Sequence, residues 1–304
     1  MKRNILYAGL VLTLLCLNVK ALETLSYKVI QNDPSDFKNL WINIYPANVD
    51  IASPVTLRYG AGIEYKMNKI LSFSLDLEKG YLNLAGAQSK AVTKTGLYAE
   101  AGGVFNFASS EKEVTQGVPL KSVGGYGYGS GGTTINYYLN VPNVKVHKDF
   151  GLRGGLYFFS SPKDLADKKT IAGTLNGVNV IYNMTGIYAG IGTTSYRKIV
   201  IEPEGYSTKR WEGRYNLYFD VMFAPLILYS YNDAAGSKDA ILDQVVETKH
   251  LGWRAGYMMQ FKSAFRILYG IEFGSRSGIN GGGFFFLKFA IPFGINFQLS
   301  SLSK

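Results

Sequence analysis

The chain has one cysteine, Cys16, two histidines, His147 and His250, and no run of 18 consecutive apolar residues. Each shortage removes a class of structure. A helical membrane span needs about 20 apolar residues, so helical spans are excluded. A lone cysteine closes no disulfide within the chain, and Leu15 before it stands where a lipidated cysteine has a small neighbour. Two isolated histidines make a poor set of transition-metal ligands, and no metal site or cofactor is expected. There is no basic cluster either, so nucleic acid is a poor partner despite a formal charge of +10.

The N-terminus carries Lys2-Arg3, an apolar core from Ile5 to Leu17, then Asn18-Val19-Lys20-Ala21. This is the order of a secretory leader, and its 13-residue core is too short for a membrane helix. Cleavage is expected after Ala21, leaving no cysteine and, with Lys2, Arg3 and Lys20 gone, a charge of +7. The expected organisation is leader 1–21, an N-terminal periplasmic segment 22–38, a barrel over 39–299 and a tail 300–304.

What the chain has in quantity is two-residue alternation. Phe285, Leu287, Phe289, Ile291, Phe293, Ile295, Phe297 and Leu299 interleave with Lys288, Ala290, Pro292, Gly294, Asn296 and Gln298. That is strand periodicity, and fifteen such residues reach roughly 50 Å, far beyond a common soluble strand. Phe265, Ile267, Tyr269, Ile271 and Phe273 repeat it, following Leu251, Trp253, Tyr257, Met259 and Phe261 across a Lys262-Ser263 turn. Val55 to Met67 and Leu71 to Leu77 form a second hairpin signal. Weaker runs fall at 40–47, 96–107, 133–145, 150–160, 183–195 and 213–229.

With no apolar helix available, a closed antiparallel up-and-down β-barrel is the other structure that satisfies every backbone group in lipid. Aromatic content of 14% and 35 glycines suit half-apolar strands. A soluble exported barrel with an apolar interior is the alternative. Lipid outside is favoured by run length, by aromatics on the apolar face at Tyr65, Tyr215, Trp253 and Tyr257, and by glycine mixed with charge opposite. Eleven runs are visible and an even number requires one more between 110 and 128, giving twelve, with ten or fourteen as alternatives. Turns are expected at 67–70, 146–150 and 262–264 on the periplasmic side. The longer outer loops are 83–95, 161–177, 230–250 and 276–282, and the long connection 197–212 fits the periplasmic side badly.

The export signal, the dyad repeats and the aromatic final strand together resemble Gram-negative outer-membrane β-barrel proteins over nearly all of the mature sequence. The resemblance implies an outer-membrane location, with outer-membrane lipid, lipopolysaccharide and the barrel assembly machinery as partners, and leaves room for a surface or periplasmic protein. Such proteins usually end on an aromatic residue, whereas here Gln298 to Lys304 follow Phe297. A fold of this kind implies no single function.

If odd positions face lipid in the clear strands, Leu57, Phe73, Trp253, Tyr257, Phe265, Ile271, Phe289, Ile291 and Phe293 lie outside. The lumen then carries Arg58, Glu64, Lys66, Asp76, Glu78, Glu100, Arg153, Arg214, Asp220, Arg254, Arg266, Glu272 and Lys288. Two readings stay open: a porin-like channel for small solutes with weak selectivity, or a barrel filled by cross-strand pairs that serves as a binding or scaffold protein. Arginine at Phe289 or Ile271 should impair membrane folding, and Arg254→Ala should matter much less.

Three local patterns carry little. Gly127, Gly129 and Gly132 have dinucleotide-loop spacing, but the strand signal Thr133 to Tyr137 follows where a helix must open. Ile241, Leu242, Val245 and Val246 have the spacing of a short loop helix. Some barrel enzymes are hydrolases, deacylases or proteases that pair histidine with serine or acids. No triad partner can be named for His147 or His250, so no catalytic residue is assigned.

Overall fold

The computed structural model describes residues 20–21, 25–35, 37–51, 55–84, 96–125, 133–164, 169–170, 173–174, 179–231, 246–262, 266–279 and 282–297. Among these the chain is all β, with no helix. Apart from two-residue strands at Lys20–Ala21, Lys169–Thr170, Gly173–Thr174, Thr248–Lys249 and Gly278–Ile279, a short strand β1 (Tyr27–Asn32) comes first. Ten more follow: β2 (Leu40–Ile51), β3 (Val55–Lys66), β4 (Leu71–Leu84), β5 (Leu97–Gly125), β6 (Thr133–Asp164), β7 (Asn179–Pro203), β8 (Lys209–Tyr231), β9 (Leu251–Lys262), β10 (Arg266–Ser275) and β11 (Gly283–Ile295). Each of the ten lies beside its sequence neighbours, and β11 pairs with β2 to close the ring. Leu40 and Ile295 pair at one rim, here the near rim. The β3–β4 turn and the Lys262–Arg266 end of the β9–β10 pair lie there too.

The ring therefore has ten strands, not the twelve counted from alternation. The run 96–107 and the described part of the extra strand required between 110 and 128 belong to the single strand β5, which ends at Gly125, and runs 133–145 and 150–160 belong to the single strand β6. No turn exists at 146–150, and His147 sits inside β6. The alternation fails there because the buried side changes parity. Leu139 and Val141 are buried at odd numbers, then Val144 and Val146 at even ones. Asn143 between them has φ of 56°, the left-handed conformation found at such bulges. A second bulge in β2 skips Pro46 and Ala47, so that Trp41, Asn43 and Tyr45 are buried before it and Asn48 and Asp50 after it. The proline has no N–H to leave unpaired.

The chain divides into two compact units. The larger, Ser35–Glu111, His147–Tyr196 and Gly213–Lys304, holds the closed ring. Its outward side chains are apolar and exposed, among them Phe73, Leu77, Leu152, Ile187, Leu217, Ile271 and Phe293. Leu57 and Phe289 are half-buried on the same side, Trp253, Tyr257 and Ile291 are exposed there, and Phe265 lies outside the described residues. Its inward side chains include all of its buried charges, together with buried aromatic and apolar groups such as Tyr157, Phe159, Met184 and Phe286.

The smaller unit takes the described residues before Ser35 with Lys112–Val146 and Arg197–Glu212. Here polarity runs the other way. Val118, Leu120, Val141, Val144, Ile199 and Ile201 make a buried core, joined by Leu25, Tyr27 and Trp211. Lys112, Glu113, Thr115, Lys121, Lys145, Glu202 and Glu204 are exposed. The segment 197–212 that fitted badly as a connection supplies the end of β7, a short turn at Gly205 with φ of 75°, and the start of β8. β1, within the expected N-terminal segment, pairs antiparallel with Ile199 to Pro203 of β7, and its Asn32 side chain accepts from Lys145 N and donates to Asn143 O.

Candidate functional site: the filled interior of the barrel

At mid-height the interior is organised by Arg254 on β9. Its Nη1 and Nη2 donate to the two carboxylate oxygens of Glu100 on β5 at 2.5 and 2.7 Å, and its Nε donates to Asp220 on β8 at 2.9 Å. Strands β5 and β9 are four places apart in a ring of ten, so this fork crosses the lumen. The other Asp220 oxygen accepts from Arg153 Nε of β6 at 3.1 Å. Lys288 on β11 pairs with Glu272 on β10 at 3.1 Å, and the Tyr218 hydroxyl donates to the same carboxylate. Arg153 lies over the Tyr218 ring, 4.0 Å from its centre, and Arg254 over Tyr188, 4.5 Å away. Such stacking needs room, and glycine provides it: a Cβ at Gly256 would fall 2.2 Å from a Tyr218 ring carbon.

Toward the near rim, Arg214 on β8 binds Glu64 on β3 at 2.5 Å, a pair joining strands five places apart, diametrically opposite. Asn43 adds a bond to Glu64 at 3.0 Å, and Tyr45 donates to Asp76 at 2.6 Å. Lys66 reaches Asp149 at 2.9 Å, and Arg266 lies over Trp41, 4.8 Å from the ring centre. Phe37 packs edge-on against Tyr196 and tilted against Trp41, so aromatic rings fill this mouth.

Toward the far rim, Arg58 and Arg276 both bind Asp50, at 3.2 and 2.9 Å. Both guanidinium groups lie over Phe159, at 4.9 and 4.5 Å from its centre. A cavity of about 20 Å³ is left between these groups, room for about one water. Beyond it Tyr157, Phe159, Tyr182, Met184, Met222 and Ile279 form an apolar cluster. Ile279 enters because the chain turns at Gly278, whose φ of 128° is foreign to other residues.

All thirteen residues assigned to the lumen from sequence lie in this interior, each next to an opposite charge, a hydroxyl or an aromatic ring, except that neither Glu78 oxygen has a hydrogen-bond partner. Sequence reading missed Asp50, Tyr98, Asp149 and Arg276, together with the inward aromatics Trp41, Tyr188 and Tyr218. Tyr218 shares the even parity of Arg214 and Asp220 on β8, a signal that was present; Asp50 was hidden by the β2 bulge.

No protein-family model matches this chain, and no curated protein matches it. The chemistry is therefore read from the side chains. His147 Nε2 lies 2.8 Å from Asp149 Oδ1, and Ser109 Oγ donates to that same oxygen at 2.9 Å. Serine and imidazole thus meet the acid, not each other, and no nucleophile is activated by a base in this arrangement. The ring of His250 bonds the carbonyl of Ala224. Among the described residues no three histidine, cysteine or acidic side chains form a group that could hold a metal ion. The stretch 126–132 and Ile241, Leu242 and Val245 lie outside the described residues.

Glu78 offers a direct test of this electrostatics. Its carboxyl is 1% exposed and receives no hydrogen bond, with Lys288 and Arg58 as its nearby cations, whereas Glu100 receives two bonds from Arg254. An unpartnered buried charge is costly and a paired one is costly to break. Glu78→Gln should leave the urea midpoint unchanged or higher, and Glu100→Gln should lower stability by about 3 kcal/mol or more, read by equilibrium unfolding.

Proposed function

We propose that the chain is an exported, integral outer-membrane β-barrel whose interior is shut by its own side chains, and that it acts as a membrane anchor and binding scaffold. The observation that carries the membrane part is the inversion of polarity between the two units. In the ring the exposed faces are apolar and the charges are buried; in the smaller unit, built on continuations of the same strands, the exposed faces are charged and the core is apolar. Water cannot favour both arrangements, while lipid around one and water around the other does. A 12-residue strand such as β3, at about 3.3 Å per residue and a tilt of about 40°, rises about 30 Å, close to the apolar band of such barrels. The leader signal at residues 1–21 supports export.

The choice between channel and closed barrel rests on the interior. Asp220, Arg58, Glu78 and Arg254 are between 0% and 2% exposed, although they sit on four different strands. Side chains lining a water path would be wetted. The diametric Arg214–Glu64 pair and the Arg254–Glu100 fork join opposing walls across the lumen. This supports the scaffold reading over the porin-like one, with binding on water-exposed segments such as the polar face of the smaller unit. No catalytic role is assigned.

The membrane part is tested by fractionation and electrophoresis. Resistance of the membrane-bound protein to carbonate extraction, with a heat-dependent shift in mobility, is the expected result. Release into the soluble fraction with no heat-dependent form would contradict it.

A further inference from the structure

We infer that the near rim of the barrel is a docking surface for anionic phospholipid headgroups, formed by Lys38, Lys69 and Lys148; the inference rests on the membrane reading above. Lys38 precedes β2, Lys69 lies in the β3–β4 turn, and Lys148 projects outward from β6 between the inward His147 and Asp149. All three therefore stand at the rim where the barrel begins and ends. Each has apolar surface beside it on the outward side. Tyr65 and Phe297 meet edge-on where Asn39, the residue after Lys38, bonds the Phe297 backbone, Met67 and Ile70 flank Lys69, and Phe107 and Phe150 meet edge-on two residues from Lys148.

This is the arrangement in which a lysine lays its carbon chain on an apolar belt and raises its ammonium to headgroup level. None of the three ammonium groups has an ion-pair partner among the described residues. Among the described residues of the barrel unit, the one acid exposed at this rim is Glu111, which faces His147 at 3.6 Å. The rim thus carries an excess of unpaired positive charge above lipid-facing aromatics. A phosphodiester headgroup with net negative charge complements it; a zwitterionic headgroup brings its own cation and gains less.

The test uses the full mature chain in nanodiscs of mixed phosphatidylcholine and phosphatidylglycerol, with co-purifying lipid identified by native mass spectrometry after partial delipidation. The expected result is retention of phosphatidylglycerol over phosphatidylcholine by about fivefold or more, the effect of one engaged lysine, falling toward parity in Lys38→Gln/Lys69→Gln/Lys148→Gln. No enrichment in the natural chain, or equal enrichment in the triple variant, would overturn the inference while leaving the barrel reading intact. Displacement of the lipid by inorganic phosphate alone would also overturn it, since the site would then be a plain anion site. Failure to enter the nanodisc, judged by loss of the heat-dependent mobility shift, would overturn the membrane reading and this inference together.

Discussion

Arg254→Ala is expected to lower the stability of the folded barrel by about 3–5 kcal/mol, measured as the urea unfolding midpoint in phospholipid vesicles. The side chain is 2% exposed and holds Glu100 and Asp220 at once, so its removal leaves buried Glu100 without its ion-pair partner and Asp220 with Arg153 alone. Read as one more charge in a wet lining, this residue should have been nearly dispensable; its burial reverses that expectation. The matched control is Arg254→Met with Glu100→Leu, which removes charge of both signs and should recover part of the loss. A double-mutant cycle over the pair then isolates their coupling. An alanine variant as stable as the natural chain would mean that the interior is hydrated and the fork is not formed.

Ile271→Arg is expected to cost about 2–4 kcal/mol, because the outward face of β10 would place a charge near the middle of the bilayer. Ile271 pairs in register with Tyr257 on β9 and Leu287 on β11, so the new side chain has apolar neighbours on both sides. Thr115→Arg on the exposed polar face of the smaller unit makes the same chemical change in a place read as water-facing, and should stay within about 0.5 kcal/mol of the natural chain. Equal tolerance of the two substitutions would remove the case for lipid around the ring.

The contrast between these positions marks what was legible in the sequence. Where a strand is regular, as in β3, β9, β10 and β11 and in β4 as far as Gly80, alternation alone separated Arg58, Asp76, Arg254, Glu272 and Lys288 from their apolar neighbours, and the structure places those five inward. Where parity breaks, the reading lost its footing. The bulge at Pro46 and Ala47 hid Asp50, and Asn143 turned one strand into two apparent ones with a turn between them. The polarity inversion of β5 to β8 compounded this, since an apolar residue points outward in the ring and inward in Lys112–Val146 and Arg197–Glu212. Alternation reports a two-faced strand without saying which face meets which medium. Nor does it measure how closely opposite walls approach, so an interior of thirteen charges was compatible with a channel until the Arg254 and Arg214 pairs were seen to cross it.

The central claim, a membrane barrel closed by its own charges, is tested most directly by single-channel recording of the refolded protein in a planar bilayer, after its heat-resistant form has been verified. Silence across the voltage range is the expected result, with conductance appearing when Arg254 and Arg214 are both replaced by alanine. Steady conductance from the natural chain without any partner would contradict the closed interior and restore the channel reading.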